Sequence, residues 1–435
     1  MSLLTTVVPL AGGLAFGAWL LPAPWHRTPK EPTVADIIAE APPELRPAVG
    51  TLMNPYALAL LLDRVGLGSV RDGFPALEWW EYGPHGITAE FLMAAGQSLK
   101  DWNNLDTLAA LADSFAVPTV TASRPNPGFV RLEVRVYDTL AVPATVPVAV
   151  HNGVDLATAV PDLEAIPVGI TEDGEYWLVP VLWNHILLGG ATGSGKSSMV
   201  WSLFAALGPA IKAGLVDLWV LDPKGGMEFG RGEDKFFVRF ACTDTTEMLA
   251  LLQEAVNEMH ERAQRLRAKG IRKHYPTPEE PLVIVFIDEA ATLSAFANRK
   301  DREKFEELHG LLLSQGRAPG FSVIETVIDP SKDTVPQRQL FPYRVGLRLD
   351  EPGQTTMILG QGAANRGARC AEISDKTPGV AFVERDGSTQ IIRVRSFLVT
   401  DDDIDAIVDT YAIEPKPLVI DPDTDGDDDG MAVAA

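Results

Sequence analysis

The sequence predicts an α/β protein in which a mostly parallel sheet, covered by helices on both faces, follows a smaller α+β module. Three observations carry this reading. From about Ala165 to Thr400, short apolar runs alternate with amphipathic helical patterns. One of those runs leads into Gly190-Ala-Thr-Gly-Ser-Gly-Lys-Ser197, and a helical stretch follows. Another, Leu282–Ile287, is apolar throughout and ends in Asp288-Glu289, as a strand buried on both faces does when it reaches a sheet edge.

In chain order, residues 1–25 contain no charged side chain, and Leu3–Leu21 is mostly Leu, Val, Ala and Gly. A helix needs about 20 apolar residues to cross the hydrocarbon core, so a single N-terminal transmembrane helix is expected here. A buried hairpin or a partner-binding helix is the alternative. His26, Arg27 and Lys30 follow the run, which puts the rest of the chain on the cytoplasmic side.

Residues 31–164 are expected to form the small α+β module. Helical patterns lie at Val34–Glu40, Tyr56–Val65 and Leu105–Phe115, and strand-like runs at Gly86–Phe91, Thr119–Ala122 and Phe129–Tyr137. The last four of these elements give a β-α-β-β order, and nothing in the region has catalytic spacing.

Residues 165–400 form the larger domain. Its strands are expected at Ile186–Leu188, Leu218–Leu221, Leu282–Ile287, Phe321–Val327 and Arg344–Leu349. Its helices are expected at Lys196–Ala206, Thr246–Lys269 and Arg302–Ser314. Residues 401–435 are expected to be an acidic, disordered tail with one amphipathic turn at Ile404, Ile407 and Val408. Asp421–Gly430 imitates the start of a calcium loop, but Ala432 stands where the bidentate Glu belongs, so a solvated acidic run is expected.

Composition sets bounds on function. At 46% hydrophobic and 22% charged the 435 residues read as globular. With 37 basic and 59 acidic residues, the net charge of -22 argues against a nucleic-acid binder held by bulk charge. From Asp401 onward there are 12 acidic residues and one Lys, so much of that charge lies in the tail. A ring whose channel alone is basic stays compatible with it. The two cysteines, Cys242 and Cys370, make neither a disulfide framework nor a metal-binding CxxC pattern.

The stretch Gly190, Ala191, Thr192, Gly193, Ser194, Gly195, Lys196, Ser197, continuing to Ser198, fits a phosphate-binding loop at every fixed position. Glycines let backbone N–H groups turn inward around phosphate oxygens, and the helix N-terminus adds partial positive charge. Lys196 is expected to reach the β- and γ-phosphates, and the Ser197 hydroxyl to bind Mg²⁺. ATP and Mg²⁺ are therefore the expected cofactors.

Asp288 and Glu289 follow Lys196 by some 90 residues, on what is expected to be the adjoining strand. Asp288 would orient the Mg²⁺ shell and Glu289 would polarise the attacking water. A helix N-cap is the bland alternative for two acids after a strand. In Leu221-Asp-Pro-Lys-Gly-Gly-Met-Glu-Phe229, Asp222 and Lys224 sit where a strand tip would border the nucleotide cleft. They could sense nucleotide or simply shape a turn. Gly316-Arg-Ala-Pro-Gly320 and the basic stretch Arg265, Arg267, Lys269, Arg272 and Lys273 could touch DNA phosphates, or be a tight connection and a solvated helix face.

These motifs, in this order, resemble the FtsK/SpoIIIE family of DNA translocases, and most of all its conjugative transfer proteins from actinobacterial plasmids and integrative elements. The likeness covers about Gly83 to Thr400. It rests on the loop at 190–197, Asp-Pro-Lys-Gly-Gly-Met-Glu-Phe, Val-Phe-Ile-Asp-Glu-Ala, Ser-Gln-Gly-Arg-Ala-Pro-Gly and Leu-Arg-Leu-Asp-Glu-Pro-Gly-Gln. The resemblance implies a RecA-like motor fold, a homo-hexameric ring, double-stranded DNA in the channel, a membrane anchor and conjugation partner proteins. It also implies an arginine that completes a neighbouring subunit's site, for which Arg344, Arg348 and Arg317 are candidates and Arg344 is preferred by position. Two features depart from the family. Val327-Ile328 replace its Thr-Gln, so either the coupling of hydrolysis to movement is impaired or Glu325 or Thr326 does what that Gln does. The acidic tail also has no winged-helix pattern. A type VII secretion-like protein motor, an ATP-binding ring without turnover, and a role in chromosome partition or phage DNA handling are the rival readings.

Overall fold

The computed structural model describes residues 33–146, 159–331, 334–388 and 390–413. The expected membrane span at 1–25 and the run Asp421–Gly430 lie outside the described residues. Among the described residues no helix is long and apolar enough to cross a membrane. The chain divides into two compact units at Thr139/Leu140, earlier than the boundary expected at 164/165. The reason is local: Arg395 donates to the Leu140 and Ala141 carbonyls at 2.8 and 2.9 Å, and Leu398 N–H to Ala144 O at 2.8 Å. The segment after Thr139 is thus tied to the second unit.

The first unit contains α1 (Val34–Glu40), α2 (Arg46–Leu52), α3 (Pro55–Arg64), β1 (Ala76–Gly83), β2 (Gly86–Leu92), α4 (Leu99–Trp102), α5 (Leu105–Phe115), β3 (Thr119–Ser123) and β4 (Phe129–Arg135). Its antiparallel sheet has the order β1-β2-β4-β3. Strand β1 was absent from the sequence reading. Its residues are largely exposed, with no clean alternation of buried and open positions, so it lacks the period-2 signal by which an antiparallel strand is read. Phe91, Trp102, Leu111, Phe115 and Val134 lie in the core.

The second unit is built on a ten-stranded sheet. It comprises β5 (Ile166–Thr171), β6 (Tyr176–Val179), β7 (Ile186–Gly189), α6 (Lys196–Lys212), β8 (Val216–Leu221), β9 (Arg239–Ala241), α7 (Thr245–Ala268), β10 (Leu282–Ile287), α8 (Arg299–Gln315), β11 (Phe321–Val327), β12 (Tyr343–Gly346), α9 (Pro352–Leu359), β13 (Val380–Arg385), β14 (Ile392–Ser396) and α10 (Asp401–Thr410). The order is β6-β5-β14-β13-β12-β7-β11-β10-β8-β9. From β12 to β9 the strands are parallel, and from β12 to β6 they are antiparallel. One core lies between the sheet and α6 and α10, the other between the sheet and α7, α8 and α9. Burial on both faces explains why β10 is apolar without a break.

Two expectations fail here. Strand β10 does not adjoin the loop-bearing strand β7: β11 lies between them, pairing Ile324 with Ile186 on one side and Val285 with Val323 on the other. Nor is the region from Asp401 a tail throughout, because α10 buries Ile404, Ile407 and Val408. Thr400 caps it by accepting from Asp403 N–H, and its three leading aspartates suit a helix N-terminus. Arg231 and Lys235 pair with Asp401, Asp405 and Asp409 at 2.7–3.1 Å.

The antiparallel half of the sheet was also missed. Its strand β5 contains Pro167 and Gly169 with a register shift between them, both strand-breaking signals in a sequence. A Cβ at Gly169 would stand 2.1 Å from Arg395 O, so close backbone approach accounts for the glycine.

Candidate nucleotide site

Strand β7 delivers the chain to the sheet edge, where Gly190 N–H donates to Val327 O at 3.0 Å and Ala191 N–H to Arg348 O at 2.8 Å. The loop therefore hangs from both strands that flank β7. Gly193 and Gly195 have φ of 75° and 97°, which non-glycine residues resist. A Cβ on Gly195 would meet Gly379 N at 2.4 Å. Lys196 opens α6, and its Nζ donates to the Gly190 and Ala191 carbonyls at 2.6 and 3.2 Å. Burial holds its pKa below the ordinary lysine range, with Lys224 acting in the same sense and Glu289 opposing.

Asp288 and Glu289 leave the tip of β10, 3% and 8% exposed. They are held from three sides. Lys224 Nζ lies 2.8 Å from Asp288 Oδ2. The Thr326 hydroxyl donates to Asp288 Oδ1 at 2.7 Å and accepts from Glu289 N–H at 3.1 Å. Ile328 N–H reaches Glu289 Oε1 at 3.4 Å. Glu289 itself is left-handed, with φ 55° and ψ 69°, a strained state for a side-chain-bearing residue that persists where surroundings enforce it. Burial raises the Glu289 pKa, helped by Asp288 and opposed by the Ile328 amide, Lys224 and Lys196. Burial pulls Lys224 down, but its bond to Asp288 and the charges of Asp288, Glu228 and Glu289 outweigh that and raise it.

Other expected residues are placed differently. Asp222 is fully buried. Its carboxylate accepts from Lys224 N–H at 3.0 Å and Phe229 N–H at 3.3 Å, so it shapes the 222–229 turn and leaves the site to Lys224. The Ser198 hydroxyl turns away from the loop to bridge Phe397 O and Val399 N–H. Glu325 does not take the role of the family Gln, since it points to buried His309 at 2.8 Å; Thr326 is the group that reaches the site. Arg348 donates to Thr192 O at 2.8 Å within the same chain. Arg344 is half-buried early on β12 and donates to Phe341 O at 2.8 Å. Arg317 precedes β11, at the sheet edge opposite the loop. Sequence reasoning passed over Glu228, whose carboxylate accepts from the Ser197 hydroxyl; its i,i+4 spacing from Lys224 was the available signal.

The residues fit a magnesium nucleotide. Glycine-lined backbone and a helix N-terminus suit phosphates. Ser197 and Asp288 supply hard oxygens of the kind Mg²⁺ prefers, and among the described residues Glu289 Oε2 is buried without a hydrogen-bond partner, as a group held ready for a water would be.

The FtsK/SpoIIIE family profile matches residues 160–279. The chain carries an FtsK/SpoIIIE domain. It is 29% identical over 270 residues to Protein Tra of Streptomyces lividans, covering 58% of this chain and 41% of Tra. It is 27% identical over 280 residues to DNA translocase FtsK of Vibrio parahaemolyticus, covering 56% and 26%. The chain thus spans less than half the length of these two curated relatives. In three dimensions it resembles the pCW3 conjugation coupling protein TcpA, with TM-score 0.51 and 19% identity over 81% of this chain and 97% of TcpA. It also resembles the cytoplasmic domain of the Thermomonospora curvata type VII secretion ATPase EccC, with TM-score 0.52 and 20% identity over 65% and 36%. Both likenesses concern the fold alone, an α/β P-loop NTPase fold.

Proposed function

We propose that this chain is an ATP-hydrolysing motor that moves double-stranded DNA, working as a homo-hexameric ring at the cytoplasmic membrane in conjugative transfer of a mobile element. The observation that carries the reading is the buried Asp288–Glu289 pair, clasped by Thr326 and Lys224 at the sheet edge that bears the 190–197 loop. A ring that only held nucleotide would not need a strained, buried glutamate kept basic by its surroundings. The DNA translocases among its relatives support DNA as cargo.

Bound Mg²⁺-ATP supplies a polarised γ-phosphate. The chain does the rest. Backbone N–H groups of the loop and Lys196 hold the phosphates. Ser197 and Asp288 orient the metal shell, Lys224 adds positive charge beside it, and Glu289 takes a proton from the attacking water. Arg344 is proposed to complete a neighbouring subunit's site, as the family resemblance implies. The apolar run at 1–25 is proposed as the anchor, with conjugation proteins as further partners.

The test is steady-state ATP hydrolysis by the full chain, with and without linear double-stranded DNA, beside Lys196→Ala and Glu289→Gln. DNA stimulation abolished by both substitutions is the expected result. Nucleotide binding without DNA-stimulated turnover would overturn the reading in favour of an inert ring or a protein cargo.

A further inference from the structure

Glu228 stands outside every role assigned above, yet it is mounted on the site. Phe229, next to it, is fully buried and stacks on Trp201 of α6 with ring centroids 5.9 Å apart. Trp201 Nε1 donates to the Glu228 carbonyl at 3.4 Å. The backbone at 228 is therefore fastened to the helix whose first turn carries Ser197. From that mount the Glu228 carboxylate accepts the Ser197 hydroxyl proton. Lys224 Nζ lies 3.6 Å from its other oxygen and 2.8 Å from Asp288. Ser197, Glu228, Lys224 and Asp288 thus form one chain of contacts from α6 to the tip of β10.

A serine hydroxyl has one proton and two lone pairs. When the proton is committed to Glu228, a lone pair is free to face a cation. We infer that Glu228 is a positioning residue for the metal end of the nucleotide: it orients Ser197 toward Mg²⁺, and its charge disfavours phosphates that arrive without the metal. Partners that orient metal ligands in this way change metal affinity by about 10–100-fold when removed. A like charge near the phosphates adds repulsion that a bound divalent cation offsets. Glu228 thereby makes nucleotide capture depend on Mg²⁺. The inference rests on the proposed ATP site but not on hydrolysis or on DNA.

The experiment is a binding titration of the full chain with a fluorescent ATP analogue, first in chelator and then across a Mg²⁺ series, for the wild type, Glu228→Gln and Ser197→Ala. For Glu228→Gln the Mg²⁺ concentration giving half of the affinity gain should rise about 10–100-fold, while metal-free affinity holds or improves. Ser197→Ala should shift the Mg²⁺ midpoint in the same direction, and adding Glu228→Gln to it should shift the midpoint less than Glu228→Gln does alone, because the orienting effect acts through that hydroxyl, while the effect of the Glu228 charge on metal-free affinity should persist. A wild-type Mg²⁺ midpoint in Glu228→Gln would overturn the inference. So would loss of binding at every Mg²⁺ concentration together with a lowered Tm, which would mark Glu228 as a fold residue only. If the wild type itself bound no nucleotide with Mg²⁺, the proposed function would fall instead.

Discussion

Thr326→Val tests how Asp288 and Glu289 are held. The substitution keeps the shape of the side chain and removes one hydroxyl that makes two contacts. One is a bond to the Asp288 carboxylate at 2.7 Å and the other accepts Glu289 N–H at 3.1 Å. Thr326 is 1% exposed and Glu289 8%, so water cannot replace either contact without rearrangement. A hydrogen bond to a charged group contributes about 1.5–3 kcal/mol, and a stranded buried N–H costs about 1–3 kcal/mol. The two share one atom and do not add fully, which gives a loss of about 3 kcal/mol and a Tm drop of about 5 °C. The effect on turnover should be larger. The left-handed backbone at Glu289 relies on that hydroxyl, and a displacement of about 1 Å at a reacting group can cost about 100-fold in rate. The assay compares kcat, nucleotide Kd and Tm for Thr326→Val and Thr326→Ser. We expect kcat to fall about 100-fold in the valine variant with Kd nearly unchanged, and serine to restore most of it. A valine variant with kcat within about twofold of wild type would refute the idea that Thr326 compensates for Ile328.

Other predictions follow from the same geometry. Because burial raises the Glu289 pKa from the ordinary 4.5, its ionised form is disfavoured in the fold. Its destabilising effect sets in as pH rises past the unfolded value and is complete above the folded one. Glu289→Gln should therefore raise Tm at neutral pH while cutting hydrolysis more than about 100-fold with nucleotide still bound; a lower Tm with intact hydrolysis would contradict both assignments. As a base, Glu289 must be ionised, so kcat/KM, which reports the free enzyme, should climb with pH through that raised pKa, and its acid limb should lie above the usual glutamate range. Gly195→Ala places a Cβ 2.4 Å from Gly379 N on a residue with φ 97°, and equilibrium binding should show nucleotide affinity lost. Arg262, 1% exposed, donates to Pro281 O at 2.7 Å, lies 2.7 Å from Glu258 and covers the Phe321 ring at 4.7 Å. Arg262→Ala should cost about 3 kcal/mol in a denaturant melt.

How much of this was legible depended on how local each feature is. The bounds of β10 follow from an unbroken apolar run, and those of α5 from its 3.6-residue period after Asn104, whose side chain accepts from Asp106 N–H at 2.9 Å. The short antiparallel strands β5 and β14 carry no comparable signal, since β5 holds Pro167 and Gly169, β14 alternates arginines, and the two pair with each other although they lie far apart in the chain. Helix α10 was hidden by its charge, because aspartates that cap and pair there read in sequence as solvated.

By itself, the sequence determined the phosphate loop, the two acids after a buried strand and the layered α/β class. Each is set by consecutive residues acting on their own backbone. Only the tertiary structure decided that β11 lies between β7 and β10, and so that Thr326 stands beside Asp288. It also turned Asp222 and Ser198 to structural use and brought Glu228 to Ser197. Strand order and side-chain partners depend on contacts between residues far apart in the chain, and no local pattern of hydrophobicity, glycine or charge encodes which of several equally apolar strands will lie side by side.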